Sequence, residues 1–392
     1  MRIQVVSRIY APEPAAASLR LSLLVRELDE RGHHVEVLTS RAPRSATSVR
    51  LAGRVRRWPV LRDRSGQVRG YLPYLSFDIP AFFRVLFGPR ADVVVVEPPP
   101  TTGTVVRIAS AIRRVPYVYY AADLVSVAAE STSAPRMVVR LVRALETWSL
   151  GGARAVLAVT AGVEATVRAL APGAHVTAVG HGVDDETFHP AVTPDAAAHV
   201  VYIGTASQWH GAGVFVDALA VARSRGHAIT ALFVGQGGEW DQLKARTRQL
   251  GLDDLVRFRE QVPAPEAARL IRGARAALAS IREGGGYEFA VPTKAYAALA
   301  VGTPVVYAGP DPVRSLVVDN DLGAGTAWDV EPVAAALIET ASAEPSAERR
   351  AAVAAWAARN LSGRAVARRA ADVTLAAADD PGFTRGRRRR AR

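Results

Sequence analysis

The chain has 392 residues, 49% of them hydrophobic, which is more than one ordinary core and suggests two domains. It contains no cysteine, so disulfides, thiolate metal sites and cysteine nucleophiles are excluded, in keeping with a reducing compartment. The net charge is +12, but Arg385, Arg387, Arg388, Arg389, Arg390 and Arg392 supply six of those charges and Lys244 and Lys294 are the only lysines; this arginine skew is discounted as a sign of nucleic-acid binding, and none is expected.

The N-terminus lacks the apolar run and small-residue cleavage site of a signal peptide and reads as a strand, Ile3–Val6. Leu21, Leu24, Val25 and Leu28 recur at helical spacing, with Gly32 placed to end that helix. Val35, Val37 and Leu38 make the next strand, followed by strands at Val93–Val96, Tyr117–Tyr119 and Ala155–Val159. Helical patterns separate them near Thr104–Arg113 and Val138–Leu150. The stretch Arg54–Arg90 mixes arginines with Trp58, Tyr71, Tyr74, Phe77, Phe82, Phe83 and Phe87. It reads as loops and a packed helix, or as a basic aromatic surface for an anionic membrane or a lipid-linked acceptor.

The alternation restarts after Pro190. Strands are expected at Val200–Ile203, Ile229–Val234, Val256–Phe258, Ala276–Ala279 and Pro304–Tyr307, with helices at Val214–Arg225 and Glu239–Leu250. Alanine- and arginine-rich helices fill Glu331–Ala378. The expected division is a first domain at 1–190, a second at 191–378 with its last helices able to pack back on the first, a linker at Ala191–Ala198, and a disordered basic tail at 379–392. Strands alternating with helices predict an α/β protein of two doubly wound parallel sheets. No run of about 18 uninterrupted apolar residues occurs, so no spanning helix is expected and the reading is cytoplasmic.

Ligands in such sheets bind beyond the carboxyl ends of the strands. The loop after the first strand, Tyr10-Ala11-Pro12-Glu13-Pro14-Ala15-Ala16-Ala17-Ser18, lacks G-x-G-x-x-G, which argues against a nicotinamide or flavin enzyme. A P-loop, an H-E-x-x-H metal site and a G-x-S-x-G elbow are also missing, and no metal ligand set is expected. The most informative segment is Gly284-Gly285-Gly286-Tyr287-Glu288-Phe289-Ala290-Val291-Pro292-Thr293-Lys294. Glycines permit close backbone approach, Pro292 suits a helix start, and free N–H groups with Lys294 suit a pyrophosphate.

These residues carry a family resemblance. A YxP loop, "RELDERGHHVEVLTS", "EPPP", "GHGVDDETFHP", "VYIGTAS", "WHGAGVFVDAL", "LFVGQGGEWDQLK", "VRFREQVP" and "YEFAVPTKAYAALAVGTPVV" occur in that order. Over nearly its whole length the chain resembles the retaining GT-B glycosyltransferases of family four, the group 1 type. The resemblance implies two Rossmann-like domains facing across a cleft, and transfer of a sugar from a nucleoside-diphosphate donor. It implies that the base meets backbone around Gln261, Val262 and Pro263. The phosphates would meet Gly204, Thr205, Gly286, Thr293 and Lys294, and Glu288 would contact the donor sugar. Arg20 and Asp123 would face the cleft from the first domain, with Asp123 orienting hydroxyls; His181 and His210 would lie near the substrates. The donor sugar nucleotide is a co-substrate, and no cofactor is expected. The acceptor is a glycan, glycolipid or small molecule, and the tail would attract anionic lipid. The chain departs from the pattern at Ala15-Ala16-Ala17, at Thr205 and His210 where arginine and lysine are usual, and at Ala297 where a second glutamate is usual. These departures motivate a non-catalytic partner subunit as an alternative, beside a nucleotide-sugar 2-epimerase.

Overall fold

The computed structural model describes residues 1–13, 15–43, 51–63, 68, 70–130, 135–284 and 290–379. The chain forms two compact units, one of Met1–Gly182 joined by the chain from Gly363, the other of Val183–Ser362.

In the first unit the elements are β1 (Arg2–Val6), α1 (Ala16–Glu30), β2 (His34–Ser40), β3 (Arg54–Trp58), α2 (Tyr71–Phe87), β4 (Val93–Val96), α3 (Pro100–Arg113), β5 (Tyr117–Ala121), α4 (Val125–Glu130), α5 (Arg136–Gly151), β6 (Ala155–Ala158), α6 (Ala161–Leu170) and β7 (Val176–Ala178). The strands pair in parallel in the order β3-β2-β1-β4-β5-β6-β7. All four residues of β4, Val93 to Val96, are buried, as strands covered on both faces must be. Helix α1 turns Leu21, Leu24, Val25 and Leu28 inward at the predicted spacing. The basic aromatic stretch contains one unexpected strand, β3, whose Trp58 stacks on Phe77 of α2 at 4.8 Å. Each such buried aromatic contributes on the order of 2 kcal/mol through area removed from water.

The second unit holds β8 (Val200–Thr205), α7 (Gly213–Ser224), β9 (Ala231–Gln236), α8 (Trp240–Gln249), β10 (Val256–Arg259), α9 (Ala264–Gly273), β11 (Ala276–Ser280), α10 (Thr293–Ala300), β12 (Val305–Ala308), α11 (Val313–Asp319), β13 (Gly323–Thr326), α12 (Val330–Ala341) and α13 (Ala347–Asn360). Its parallel order is β10-β9-β8-β11-β12-β13. In both sheets the order reverses direction beside the first strand, between β1 and β4 and between β8 and β11. Those two switch points are where a ligand crevice opens.

The expected boundary shifts. Residues 191–198 are no linker: Phe188, Val192, Ala197 and Ala198 pack on the core of the second unit, and the Asp195 N–H donates to the Arg269 carbonyl of α9 at 2.9 Å. The chain leaves the first unit at Gly182 and returns at Gly363 to form α14 (Gly363–Asp379), which packs on α1 and against β4, β5 and β6. Arg31 of α1 pairs with Asp372 of α14 at 2.6 Å. The expected tail lies outside the described residues from 380 onward.

The departing and returning segments touch backbone to backbone. A Cβ on Gly182 would sit 2.5 Å from Cα of Gly363. Gly182→Ala is therefore expected to lower stability by about 1–3 kcal/mol through overpacking, read as a fall in urea midpoint at unchanged m-value.

Candidate active site

At the switch point of the first unit, Arg20 of α1 ion-pairs with Glu97, which directly follows β4. Both side chains are nearly buried, at 10% and 6% exposure. The Ser7 hydroxyl, just beyond β1, donates to the other Glu97 oxygen at 2.9 Å. The Arg20 guanidinium lies 5.2 Å from the centre of the Tyr120 ring. Burial pulls the Arg20 pKa down, but the charge and hydrogen bond of Glu97 outweigh it and the net shift is upward. Arg20 Nε is buried without a hydrogen-bond partner among the described residues. This arginine is thus a buried charge with one donor to spare, not a solvated helix residue.

Asp123 follows β5, and a cap on α4 would be its bland role. The structure gives that role to Glu146 of α5, whose buried carboxylate accepts from Val125 N–H at 2.9 Å, from Ser126 N–H at 3.0 Å and from the Ser126 hydroxyl. Burial pushes the Glu146 carboxyl up, against those hydrogen bonds. Asp123 itself is exposed and has no hydrogen-bond partner among the described residues. Burial raises the Asp123 carboxyl above its ordinary value; the Arg20 charge opposes the rise and the Glu97 charge adds to it. His181, half-buried, is pushed down to about 3, first by desolvation and then by the Arg20 charge, so it stays neutral. Arg20, Asp123 and His181 therefore share one electrostatic neighbourhood. Glu97 and Glu146 were not among the expected site residues. A single acid directly after a four-valine buried strand was the available signal for Glu97.

The second unit builds a compact centre at the carboxyl end of β8. Lys294, in the first turn of α10, donates to the Tyr202 hydroxyl and to the Thr205 carbonyl at 3.1 Å. Its Nζ lies 3.9 Å from the Tyr202 ring centre. Gly204 makes this possible: it has φ +129, and a Cβ there would meet Lys294 Cε at 3.4 Å. Lys294 is partly buried, and desolvation lowers its pKa well below that of a free lysine. Among the described residues no side chain caps the α10 N-terminus that opens at Thr293. A cation, a helix start and the exposed Thr205 thus converge where an anion can approach.

His210 is buried and stacks on Trp209 with ring centres 3.5 Å apart. Its Nδ1 accepts from the Ser207 N–H at 3.3 Å and lies 2.7 Å from the Ser207 hydroxyl. Burial and then the Lys294 charge push it down to about 2. It is a neutral ring that closes its own loop, with its proton on Nε2 by the tautomer that the Ser207 N–H selects. Gln261, Val262 and Pro263 sit past the end of β10, on the same edge of the sheet but two strands from β8. Gln261 and Pro263 are exposed. Gly286 and Glu288 lie outside the described residues.

Two family models cover most of the chain. Residues 16–182 match the glycosyl transferase 4-like domain, and residues 197–342 match glycosyl transferases group 1. The chain belongs to the group 1 glycosyltransferases. No curated protein matches it in sequence. Its fold resembles sucrose-phosphate synthase from Thermosynechococcus elongatus, at 14% identity, TM-score 0.71, and 95% and 98% coverage of the two chains. It also resembles Anabaena HepE solved with UDP-glucose, at 17% identity, TM-score 0.70, and 96% and 100% coverage. A third similar structure is WaaG, a glycosyltransferase involved in lipopolysaccharide biosynthesis, at 16% identity, TM-score 0.68, and 95% and 99% coverage. This glycosyltransferase thus has the GT-B fold, two parallel-sheet α/β domains.

Removing one partner of a buried ion pair strands the other. Arg20→Ala in this glycosyltransferase should cost on the order of 3 kcal/mol of stability, whereas Glu97→Gln with Arg20→Met together should cost less than the single change. Urea unfolding of the two variants beside the parent checks this, and equal losses in both would show that the pair contributes nothing specific.

Proposed function

We propose that the enzyme transfers a sugar from a nucleoside-diphosphate sugar to an acceptor hydroxyl with retention of anomeric configuration, in the synthesis of a cell-surface glycan or glycolipid. The observation that carries the reading is Lys294, held by Tyr202 and Thr205 at the end of β8 beside the α10 start. The uridine nucleotide is the first donor to test, because HepE was solved with UDP and with UDP-glucose, and TarM with UDP.

In this reading the bond between the anomeric carbon and the diphosphate oxygen breaks, and negative charge grows on the departing diphosphate. Lys294, the α10 N–H groups and the backbone near Gly204 receive that charge without reorganising. The acceptor oxygen bonds to the same face of the anomeric carbon, and its proton passes to the leaving diphosphate. Asp123, exposed and without a hydrogen-bond partner among the described residues, orients a sugar or acceptor hydroxyl, and Arg20 holds Glu97. His181 and His210 act as neutral rings, not as bases. Charge comes from the protein alone, so the transfer needs no metal. The Arg-rich tail attracts the chain to anionic lipid.

A thermal-shift titration with UDP, GDP, ADP, TDP and CDP in chelator tests the site. One nucleotide at about 100 times its Kd should add roughly 2.7 kcal/mol. Lys294→Ala should abolish that shift and cut kcat/KM by about 100-fold, since one preorganised charge contact contributes roughly 2.7–4 kcal/mol. A variant that binds and turns over like the parent sinks the assignment, and an epimerised nucleotide sugar formed without acceptor replaces transfer with epimerisation.

The lysine also sets a pH dependence. Desolvation lowers its pKa in the free protein, and a bound diphosphate raises it again. Binding therefore takes up a proton at any pH between the two values, and affinity falls as pH rises through that window. Calorimetry in two buffers of different ionisation enthalpy should show an uptake of up to about one proton that disappears in Lys294→Met.

A further inference from the structure

Helix α2 is apolar on two sides. Its inner side buries Phe77, Ala81 and Val85. Its outer side carries Tyr71, Leu75, Ile79, Phe83 and Phe87 at four-residue steps, all exposed, with Tyr71 at 70% and Phe87 at 76%. A helix that is hydrophobic all round is normally buried, and this one is not. Helix α3 packs beside it and exposes Ile108 and Ile112; α5 packs on α3 and exposes Met137, Leu141 and Trp148. Counting Leu72, these three neighbouring helices hold eleven of the fourteen exposed large hydrophobic side chains among the described residues. So large a contiguous patch marks an interaction surface.

The charge on the same helices has one sign. Their only acids, Asp78 and Glu146, are 1% and 0% exposed. Their basic residues are all arginine, and Arg136, Arg140 and Arg143 form an exposed ridge along α5 beside Met137 and Leu141. Arg107 of α3 lies over the Trp148 ring at 4.1 Å, at the join between α3 and α5. Among the described residues no helix is long and apolar enough to cross a membrane.

We propose that this face of the first unit seats on the surface of a bilayer that contains anionic lipid. The apolar ridge enters the boundary between headgroups and acyl chains, and the arginines meet lipid phosphates. A second copy of the chain is the poorer occupant, because a self-paired face would set arginine against arginine with no exposed carboxylate between them. The proposal also bears on the substrate. Helix α3, which carries part of the face, begins at Pro100, three residues after Glu97 of the Arg20–Glu97 centre. An acceptor anchored in lipid is the class this placement serves; that clause rests on the transfer reading above, and the docking itself does not.

Sedimentation of the full chain with vesicles tests the docking without any turnover. The chain should bind vesicles of phosphatidylcholine with phosphatidylglycerol, release as salt is raised, and bind phosphatidylcholine alone weakly. The exposed triple variant Leu75→Glu/Phe83→Glu/Leu141→Glu should partition at least about tenfold less while keeping its circular dichroism and its nucleotide thermal shift. Arg136→Gln/Arg140→Gln/Arg143→Gln should lose chiefly the anionic preference, and a chain ending at Asp379 should still bind. Parental binding by the first triple variant, or binding lost only when the tail is removed, would overturn the proposal. So would a dimer that those face substitutions dissolve without changing vesicle binding.

Discussion

Strands buried on both faces leave a parallel sheet one route to solvent, its carboxyl ends, and both halves of this enzyme are organised by that constraint. The four valines of β4 can carry no chemistry, so the first polar residue after them, Glu97, carries it instead. The same logic places Gly204 and Thr205 at the end of β8. The strand order reverses beside β1 and beside β8, and α1 and α10 bring Arg20 and Lys294 to the strand ends there.

Placing charge at the rim of a core is costly, and the two units meet that cost differently. In the first, Arg20 and Glu97 neutralise each other, and Ser7 takes a remaining carboxylate lone pair. That pair is a fixed frame around which Asp123 keeps its carboxylate available, because Glu146 has taken over the capping of α4. In the second, Lys294 meets a ring face, a hydroxyl and a carbonyl, and no carboxylate among the described residues. A desolvated ammonium without a counter-ion is a site that gains from an arriving anion, since the ligand supplies the charge the fold withholds.

Much of the fold was legible from periodicity. The run at Leu21, Leu24, Val25 and Leu28 and the valine strand at Val93–Val96 stand where the pattern placed them. What escaped was structure decided by distant partners. β3 reads Arg-Val-Arg-Arg-Trp, a poor strand by composition, and exists because β2 offers a free edge and Phe77 a ring for Trp58. The segment after Pro190 has the look of a linker, yet three of its apolar residues, Val192, Ala197 and Ala198, find a core. The final helices read as one alanine-rich block able to pack back on the first domain, and tertiary contact decides which of them does: α14 packs on α1 while α12 and α13 stay with the second unit.

The candidate site was legible by residue type but not by state. Lysine in an arginine-rich chain pointed to Lys294, and the family resemblance pointed to Gly204; a Cβ on Gly204 would lie 3.4 Å from Lys294 Cε. Sequence could not show that His210 spends Nδ1 on Ser207, or that Arg20 is committed to Glu97. Both facts move positive charge away from the places where the family pattern would put it. Thr205 and the neutral His210 stand where arginine and lysine are usual, and Ala297 stands where a glutamate is usual. The described part of the second unit's centre therefore holds fewer charges of both signs than the family pattern would give it. A centre thinned in this matched way concentrates its electrostatic work on Lys294 and on the backbone N–H groups of α10, which no substitution short of proline can remove.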